Sequence, residues 1–202
     1  VANSATISML SSALIFKQAG TETLRINSSG NLLVGSTSSR TLNSHIPRLQ
    51  VTGTNYSHAT VSIINNEANA NGAYLFLGKQ RSGAVGGSTA VQQNDIVGHL
   101  RFSVGDGTDM ESRVAYIEAF VDGTPGSNDT PGRLTFSTTP DGSDNPVERL
   151  RIDSVGVLYT GNYSTTLDAT PGSVQINGGT SGGRLGFRGA TTSAGGGLGE
   201  IH

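Results

Sequence analysis

The chain has 202 residues, of which 29 are glycine and only 14% are charged, with a net charge of −2 and no cysteine. The weak charge and the lack of a Lys/Arg cluster argue against a nucleic-acid partner, and the lack of cysteine excludes disulfides, thiolate metal sites and thiol nucleophiles. No run of about 18 apolar residues occurs, so the sequence predicts no membrane insertion.

The first predicted element is a β-hairpin over residues 13–34. Before it, Ile7, Leu10 and Leu14 have helical spacing, but the Ser and Thr around them disfavour a helix, and a short connector fits equally well. The hairpin consists of a Leu-Ile-Phe strand, a short turn and the strand Glu-Thr-Leu-Arg-Ile-Asn, in which apolar and polar residues alternate. A Ser-Ser-Gly turn leads to a return strand. A Ser/Thr-rich loop over residues 36–44 ends this unit.

Short strands at regular spacing are predicted for the middle of the chain. Polar turns separate them, and two long Gly-containing loops, residues 82–94 and 122–132, lie among them. This spacing is typical of β-sandwiches, barrels and solenoids. The last of these strands has an apolar content that would also suit a short helix. The predicted strands cover residues 48–51, 60–64, 73–78, 97–102 and 113–121.

A second hairpin, over residues 132–158, repeats the first. Both contain the pattern Glu-x-Leu-Arg-Ile-(Asn/Asp)-Ser-x-Gly-x-Leu, which starts at Glu22 and at Glu148, and a Leu-x-Phe strand precedes each copy. The turn between these two parts differs in length, as repeat arrays allow in their loops. Alternation predicts that four apolar residues of each copy share one inward face. This inward set is Leu14, Phe16, Leu24, Ile26, Leu134, Phe136, Leu150 and Ile152.

The second copy resembles the tail fibres of tailed phages. The run Gly-Arg-Leu-Thr-Phe-Ser-Thr-Thr-Pro-Asp-Gly at residues 132–142, followed by Glu-Arg-Leu-Arg-Ile-Asp-Ser at residues 148–154, is similar to the segment that precedes the intramolecular chaperone domain of those fibres. The likeness is close over residues 132–156 and fair over residues 13–35. It implies a homotrimer in the virion tail, whose β-rich chains wind around a common axis and adhere to the host surface.

The composition independently favours association of several chains. Large apolar side chains are few, and each glycine adds to the conformational entropy lost on folding. A core shared by three copies would offset that cost. On the face opposite the inward set, we expect Arg25, Arg149 and Arg151 to pair with Glu22, Glu148 or Asp153 of another copy, since a planar guanidinium suits a crowded interface. The alternative is solvated decoration, which contributes under about 1 kcal/mol per pair.

Four modules are predicted along the chain. Residues 1–44 form a shaft hairpin unit, residues 45–132 a β-rich module with long loops, residues 133–163 a second shaft hairpin unit, and residues 164–202 the start of a further β-repeat. The last module is inferred from echoes of earlier strands: residues 173–177, 183–187 and 199–202 echo residues 61–63, 73–77 and 98–101. We therefore expect the chain to be part of a larger fibre. The predicted fold class is an all-β, elongated repeat fibre with short strands and hairpins, intertwined as a homotrimer.

Glycan cleavage would need one carboxylic acid and a second carboxylate as base or nucleophile about 5–9.5 Å apart. Asp106, Asp109 and Glu111 lie close in sequence, and Glu118 and Asp122 flank a strand end. Asp beside Gly is also ordinary turn chemistry, which is the interpretation we favour. No catalytic residue is predicted, and the chain is predicted not to be an enzyme.

Metal and phosphate sites have no clear sequence signal. Residues 106–111 and 141–144 group carboxylates that a calcium ion would accept, but they lack the spacing of an EF-hand. Residues 195–199 resemble a phosphate loop only in glycine content, because no Lys follows. The histidines have no local pairing, and only threefold symmetry would bring equivalent ones together. We therefore predict no metal and no cofactor. The histidines are His45, His58, His99 and His202.

We predict a structural and adhesive segment of a trimeric viral tail fibre that takes part in host-surface attachment. The expected partners are other virion tail proteins and a host-surface polysaccharide or outer-membrane receptor. The alternatives are a tailspike-type polysaccharide depolymerase and a cellular extracellular adhesin or filament.

Adhesion by this segment itself would use its two long loops, residues 82–94 and 122–132, because loops tolerate variation and carry contacts. An aromatic platform with amide partners suits a sugar. The interpretation we favour places the receptor site outside these 202 residues. The candidate platform residues are Tyr74 and Tyr116, and the candidate amides are those of Gln92, Gln93 and Asn128.

Overall fold

A computed structural model describes residues 4–161 and the backbone of residues 174–177. The described chain is all-β, as predicted, with eleven strands in two sheets and no helix. Accordingly, no described helix is long and apolar enough to cross a membrane. The first sheet holds β1 (Ala5–Leu10), β2 (Ala13–Gln18), β3 (Thr21–Asn27), β4 (Leu32–Val34) and β5 (Leu49–Val51). The second holds β6 (Ile96–Val104), β7 (Ser112–Val121), β8 (Gly132–Thr138), β9 (Val147–Ile152), β10 (Leu158–Gly161) and β11 (Val174–Asn177).

The first sheet is an antiparallel meander with one parallel strand added. β1 to β4 pair in chain order, and β5 joins β4 in parallel after the loop over residues 35–48. The β2–β3 turn consists of Ala19 and Gly20, both at positive φ (48° and 81°), which is the backbone that matches the twist of a tight hairpin. Within residues 1–12, for which a helix or a connector was considered, the structure has strand β1. This strand forms because its backbone pairs with the edge of β2.

The second sheet repeats the first. β7, β8, β9 and β10 are antiparallel neighbours, and β11 joins β10 in parallel, so β7–β11 correspond to β1–β5, and β6 is an additional edge strand. The predicted hairpin repeat is therefore present in both sheets. β11 occupies the place of β5, which corrects the sequence echo: residues 174–177 correspond to the strand beginning at Leu49, and not to residues 61–63.

The turn after each Arg-Ile-(Asn/Asp) sequence is built in the same way in both copies. Asn27 Oδ1 accepts the backbone N–H groups of Ser29 and Asn31, each at 3.0 Å. A glycine at positive φ, Gly30 at 74°, then reverses the chain. In the second copy Asp153 Oδ1 accepts two N–H groups at 3.1 and 2.8 Å. Asn and Asp recur at this position because a short side-chain acceptor satisfies turn backbone two and four residues later.

Residues 52–95 contain no strand, although strands were predicted at residues 60–64 and 73–78. Both predictions are wrong for the single chain, because among the described residues no backbone hydrogen bond joins either segment to a neighbouring strand. The other predicted middle strands are present as β5, β6 and β7, and residues 113–121 belong to a strand and not a helix. The third echo over residues 183–187 and 199–202 lies outside the described residues.

The apolar core of the described chain is small. Five apolar side chains are buried, whereas 24 large ones remain exposed, so many large apolar side chains still face solvent. In the first sheet the buried side chains include Ile15 and Leu33, which lie in one cross-strand row with Arg25. The loop over residues 35–48 is hydrogen-bonded to this face: Ser39 Oγ accepts the side-chain amides of two asparagines. We call this side the covered face. The buried apolar residues are Ile15, Leu33, Val121, Val157 and Tyr159.

Candidate functional site

The opposite side of each sheet, which we call the apolar face, carries the predicted inward set. Strand pairing aligns these residues into rows, because directly paired residues point to the same side. Two rows cross the first sheet and two equivalent rows cross the second. The rows of the first sheet are Ile7, Phe16, Leu24, Val34 and Val51, and Met9, Leu14, Ile26, Leu32 and Leu49. Those of the second are Leu100, Ile117, Phe136 and Leu150, and Gly98, Ala119, Leu134, Ile152 and Leu158.

The apolar face is only partly covered within one chain. Ile152 is 41% exposed and Phe102, paired with Ala115 on the same side, is 49% exposed. The remaining members of the predicted inward set are half-buried or exposed. A row of aliphatic and aromatic side chains across five strands is far larger than the scattered apolar residues usual on a monomer's surface. The alternation in sequence thus predicted that the residues of the inward set share one face of each sheet. Within one chain, however, that face remains partly accessible to solvent.

The arginine pairs are formed within the chain, which corrects the expectation of interchain pairing for Arg25 and Arg151. Arg25 makes a bidentate ion pair with Glu22, with N–O distances of 2.5 and 2.7 Å. Arg151 pairs with Glu148 in the same way, at 2.8 and 2.7 Å. The guanidinium of Arg25 lowers the pKa of Glu22. Arg149, the third predicted partner, donates instead to the hydroxyl of Thr138 at 3.1 Å.

A β-bulge explains how residues three apart in a strand meet. Residues i and i+3 of a regular strand point to opposite faces. In β3, Leu24 pairs with Phe16 but Glu22 pairs with Lys17, so one extra residue lies between them and Glu22 is brought to the side of Arg25. The same shift occurs between Phe136 and Ser137 of β8, opposite β9. The bulge was missed from the sequence, although the shared Glu-x-x-Arg spacing was its signal.

The covered face of the second sheet holds charged and aromatic groups. His99 Nδ1 lies 3.1 Å from Glu118 Oε1, and the guanidinium carbon of Arg101 lies 5.0 Å from the centre of the Tyr116 ring. Asn43 donates to the Tyr116 hydroxyl at 3.1 Å. Tyr116 therefore contacts Arg101 and Asn43, and it makes no described hydrogen bond or ring contact with the amides predicted to accompany it.

Asp122 joins three elements at the end of β7. Burial raises the pKa of its carboxyl, but the Ser154 backbone N–H, at 3.0 Å, and the Arg133 guanidinium, at 3.0 Å, outweigh that effect, and the net pKa is lowered. The guanidinium of Arg133 also lies 4.5 Å from the centre of the Phe120 ring. Asp122 is therefore a charged structural link between β7, β8 and the turn after β9.

The other carboxylates considered for catalysis have structural partners as well. Asp106 Oδ1 accepts the N–H groups of Thr108 and Asp109, and its other oxygen accepts the Ser112 hydroxyl at 2.9 Å. These hydrogen bonds, the one from Thr108 first, lower the pKa of Asp106. Asp109 accepts the N–H of Glu111, and Glu111 accepts hydrogen bonds from Ser44. The cluster thus stabilises the β6–β7 turn and its contact with residues 41–45.

No metal site is formed by the described residues: no three histidine or carboxylate groups lie close enough together to hold an ion. Asp144 lies 3.7 Å from Arg113 and accepts the Asn145 side-chain amide. The imidazole of His45 is hydrogen-bonded to the Asn43 carbonyl, and that of His58 to the side-chain amide of Asn55. His202 and the glycine run at residues 195–199 lie outside the described residues.

The two loops predicted to carry contacts meet in space. Gln93 Nε2 donates to the Asp122 carbonyl at 3.2 Å, and Asn94 N–H donates to the Val121 carbonyl at 2.8 Å. Between them lies an open cavity of about 470 Å³. Its lining is uncharged except for Lys79 and offers hydroxyl, amide and backbone groups. We call it the two-loop cavity. It is lined by Lys79, Gln80, Gly87, Ser88, Thr89, Ala90, Val91, Pro125, Gly126 and Thr130.

A second cleft was not predicted. It lies between residues 40–47 and the β6–β7 hairpin, in two adjoining parts of about 550 and 360 Å³ that share Met110. Arg40 and Glu111 line the larger part, and Arg101 and His45 the smaller. No sequence pattern linked these two regions, because they are about 60 residues apart and meet only through the tertiary fold.

The fold of this chain is similar to that of a viral fibre domain. It is similar to the carboxy-terminal domain of the bacteriophage T5 L-shaped tail fibre, with a TM-score of 0.59 and 14% sequence identity over 94% of this chain and 77% of that one. It is also similar to the form of that domain with its intramolecular chaperone domain, with a TM-score of 0.57 and 15% identity. There the match covers 96% of this chain and 54% of the other, so this chain spans about half of its length.

The resemblance to tail fibres predicted from the sequence is thus confirmed at the level of the fold. No family model matches the sequence, and no curated protein matches it. At such low identity the agreement rests on strand order and backbone course, and it carries no side-chain site from one protein to the other.

Proposed function

We propose that this chain is a segment of a homotrimeric viral tail fibre, located in the virion tail, that contributes to host-surface attachment and has no enzymatic activity. The observation that carries the proposal is the apolar face, which crosses both sheets and stays accessible in the single chain. The likeness in fold to a phage tail fibre domain supports the fibre role.

Association of several copies is supported by the balance between buried and exposed apolar side chains. Five buried apolar side chains provide too little hydrophobic free energy to offset the backbone entropy of about 160 ordered residues. Packing the apolar faces of equivalent sheets against one another would remove the exposed rows from water. Cyclic symmetry limits this association to a closed number of copies, and a three-chain fibre is the arrangement that the sequence resemblance implies.

Attachment to a host surface is supported by the two-loop cavity. Its lining of hydroxyl, amide and backbone groups suits a neutral polar ligand such as a host-surface polysaccharide, through hydrogen bonds. Tyr74 lies shortly before Lys79, a lining residue of the cavity, in the sequence. Its ring stacks on that of Phe76, with 5.5 Å between the ring centres. The predicted aromatic platform would therefore have to use the outer side of that stacked pair.

A structural role agrees with the hydrogen bonding of the carboxylates. Glu118 contacts His99, and Asp106, Glu111 and Asp122 accept hydrogen bonds that shape turns and strand ends. Glycan hydrolysis would need one carboxylic acid with a raised pKa beside an ionised carboxylate. Asp106 and Asp122 show the opposite, since the pKa values of both carboxyls are lowered.

The test of this function uses purified chain and host cells. Light scattering is expected to give three times the mass of one chain, and a stable monomer would contradict the trimer. Deletion of residues 126–130, which contribute to the two-loop cavity, is expected to leave the trimer intact and reduce its binding to host cells.

Unchanged binding by that trimer would show that attachment does not use the cavity. Incubation with host capsule or lipopolysaccharide is expected to release no oligosaccharide, and release that is lost on changing Glu118 or Asp122 would contradict the non-enzymatic role. As a control for the deletion, shortening the β8–β9 turn within residues 140–145 removes exposed loop of similar size that is remote from the cavity lining.

A further inference from the structure

Two segments of the β5–β6 connection have the sequence of strands but lack strand partners. Thr-Val-Ser-Ile-Ile at residues 60–64 and Ala-Tyr-Leu-Phe-Leu at residues 73–77 are rich in β-branched and aromatic residues. The turn between them is closed by Asn65, whose side-chain amide donates to the Asn71 carbonyl at 3.1 Å. Among the described residues, no backbone group of residues 60–64 or 73–77 is hydrogen-bonded to another backbone group.

Both segments also leave large apolar side chains in solvent on both sides of the backbone. Val61 and Ile63 are 72% and 55% exposed, and Phe76 is 86% exposed. Charged side chains would favour a solvated linker, yet Glu67, in the turn, is the only charged residue from 59 to 78. Free strands in natural proteins are protected from pairing by charges, prolines or bulges. These segments have no such protection, so their sequence is suited to pairing.

The second segment lies against the apolar face. Gly98 of β6 belongs to the row with Ala119 and Leu134, and an added Cβ at Gly98 would lie 2.7 Å from the Cβ of Leu77. The glycine therefore permits close approach of the segment to the sheet. Leu77 contacts the sheet, while alternation turns Tyr74 and Phe76 to the opposite side, where their rings stack with an interplanar angle of 20°.

We infer that residues 60–64 and 73–77 become β-strands only in the assembled fibre, by pairing their backbones with strands of neighbouring copies of this chain. The inference deepens the proposed homotrimer and rests on it. A neighbouring copy is the partner indicated because the second segment borders the apolar face through which copies would associate. Pairing would satisfy the free backbone groups and cover the stacked aromatic pair in one step.

The segments would thus act as exchanged strands between copies. The two segments of each copy would pair with strands of its neighbours, and the segments of the neighbours would pair with it in the same way. The contact is therefore repeated at every interface of a closed ring. A fibre held by exchanged strands dissociates only when those hydrogen bonds break together. The pairing would accordingly resist dissociation more than packing of apolar side chains alone.

Amide hydrogen exchange on the full chain tests this inference. In the assembled protein, peptides covering residues 60–64 and 73–77 are expected to exchange on the order of 100-fold more slowly than the exposed turn at residues 140–145, because hydrogen-bonded amides exchange only when the pairing opens. In the Ile152→Asp variant, if monomeric as expected, these peptides are expected to lose that protection. Peptides from the β2–β3 hairpin, which is paired within one chain, serve as the internal control.

Proline variants give a second test. Leu75→Pro removes one backbone donor from the proposed strand and is expected to lower the dissociation temperature of the trimer, whereas Ala68→Pro, in the turn, is expected to leave it unchanged. A trimer by light scattering whose two segments exchange as fast as residues 140–145 would overturn this inference alone. Protection that persists in a monomer would also overturn it, since the pairing would be internal. A wild-type monomer would overturn the trimer itself.

Discussion

Replacement of Ile152 tests whether the apolar face is the interior of the assembled protein. Ile152 lies on that face between Leu134 and Leu158 and is 41% exposed in the single chain. Complete burial of an Ile side chain contributes about 1.5–3 kcal/mol. Covering the remaining exposed part therefore contributes roughly 0.6–1.2 kcal/mol per copy, or about 2–4 kcal/mol for three copies.

Ile152→Ala removes most of that contribution and should weaken assembly by up to about 30- to 700-fold, since each 1.4 kcal/mol is a factor of ten. Ile152→Asp adds the cost of taking a carboxylate out of water, which is several kcal/mol per copy. Three such charges brought together would exceed the gain from the whole row. We therefore expect Ile152→Asp to be monomeric at concentrations at which the wild type is a trimer.

The assay is light scattering across a dilution series, with circular dichroism to confirm that the sheets remain. Arg151→Ser is the matched control, because Arg151 lies next in sequence but on the covered face, paired with Glu148. It is expected to lower stability mildly and to leave the trimer intact. Equal effects of the two variants would refute the assignment of faces, and a trimeric Ile152→Asp variant would refute the apolar face as the interface.

Three further predictions concern stability. Gly156 has φ of 83° with no atom near an added Cβ, so Gly156→Ala is expected to cost only the backbone strain, about 1–2 kcal/mol; no change in thermal unfolding would contradict the turn geometry. Because the pKa of Asp122 is lowered on folding, its stabilisation is present above the ordinary Asp value of about 3.9 and is lost as pH falls through the folded pKa. The melting-temperature difference between wild type and Asp122→Asn should therefore shrink below about pH 4, and a constant difference would contradict this. Gly98→Val should displace the segment at Leu77 and speed proteolysis within residues 72–80; proteolysis at the wild-type rate would show that their contact is not needed.

The sequence by itself determined the features that depend on neighbours along the chain. Alternation of Leu, Phe and Ile with polar residues gave the hairpins and the grouping of the inward set, because side chains two apart in a strand share a face. The Ser-x-Gly sequences gave the turns at Gly30 and Gly156, because only glycine adopts positive φ at no steric cost. The recurrence of these local patterns was enough to predict a repeated all-β architecture, and the resemblance of residues 132–156 to known fibres added the likeness to tail fibres.

The tertiary structure decided what depends on partners distant in sequence. The bulges moved Glu22 and Glu148 to the side of Arg25 and Arg151, and so turned expected interchain pairs into pairs within the chain. Folding also brought the loops at residues 82–94 and 122–132 together around one cavity. A strand sequence, finally, forms a strand only where another backbone is available for hydrogen bonding. Residues 60–64 and 73–77 have no such partner within one chain. Their sequence could not show this, because sheet pairing depends on two segments and the sequence of one segment does not identify the other.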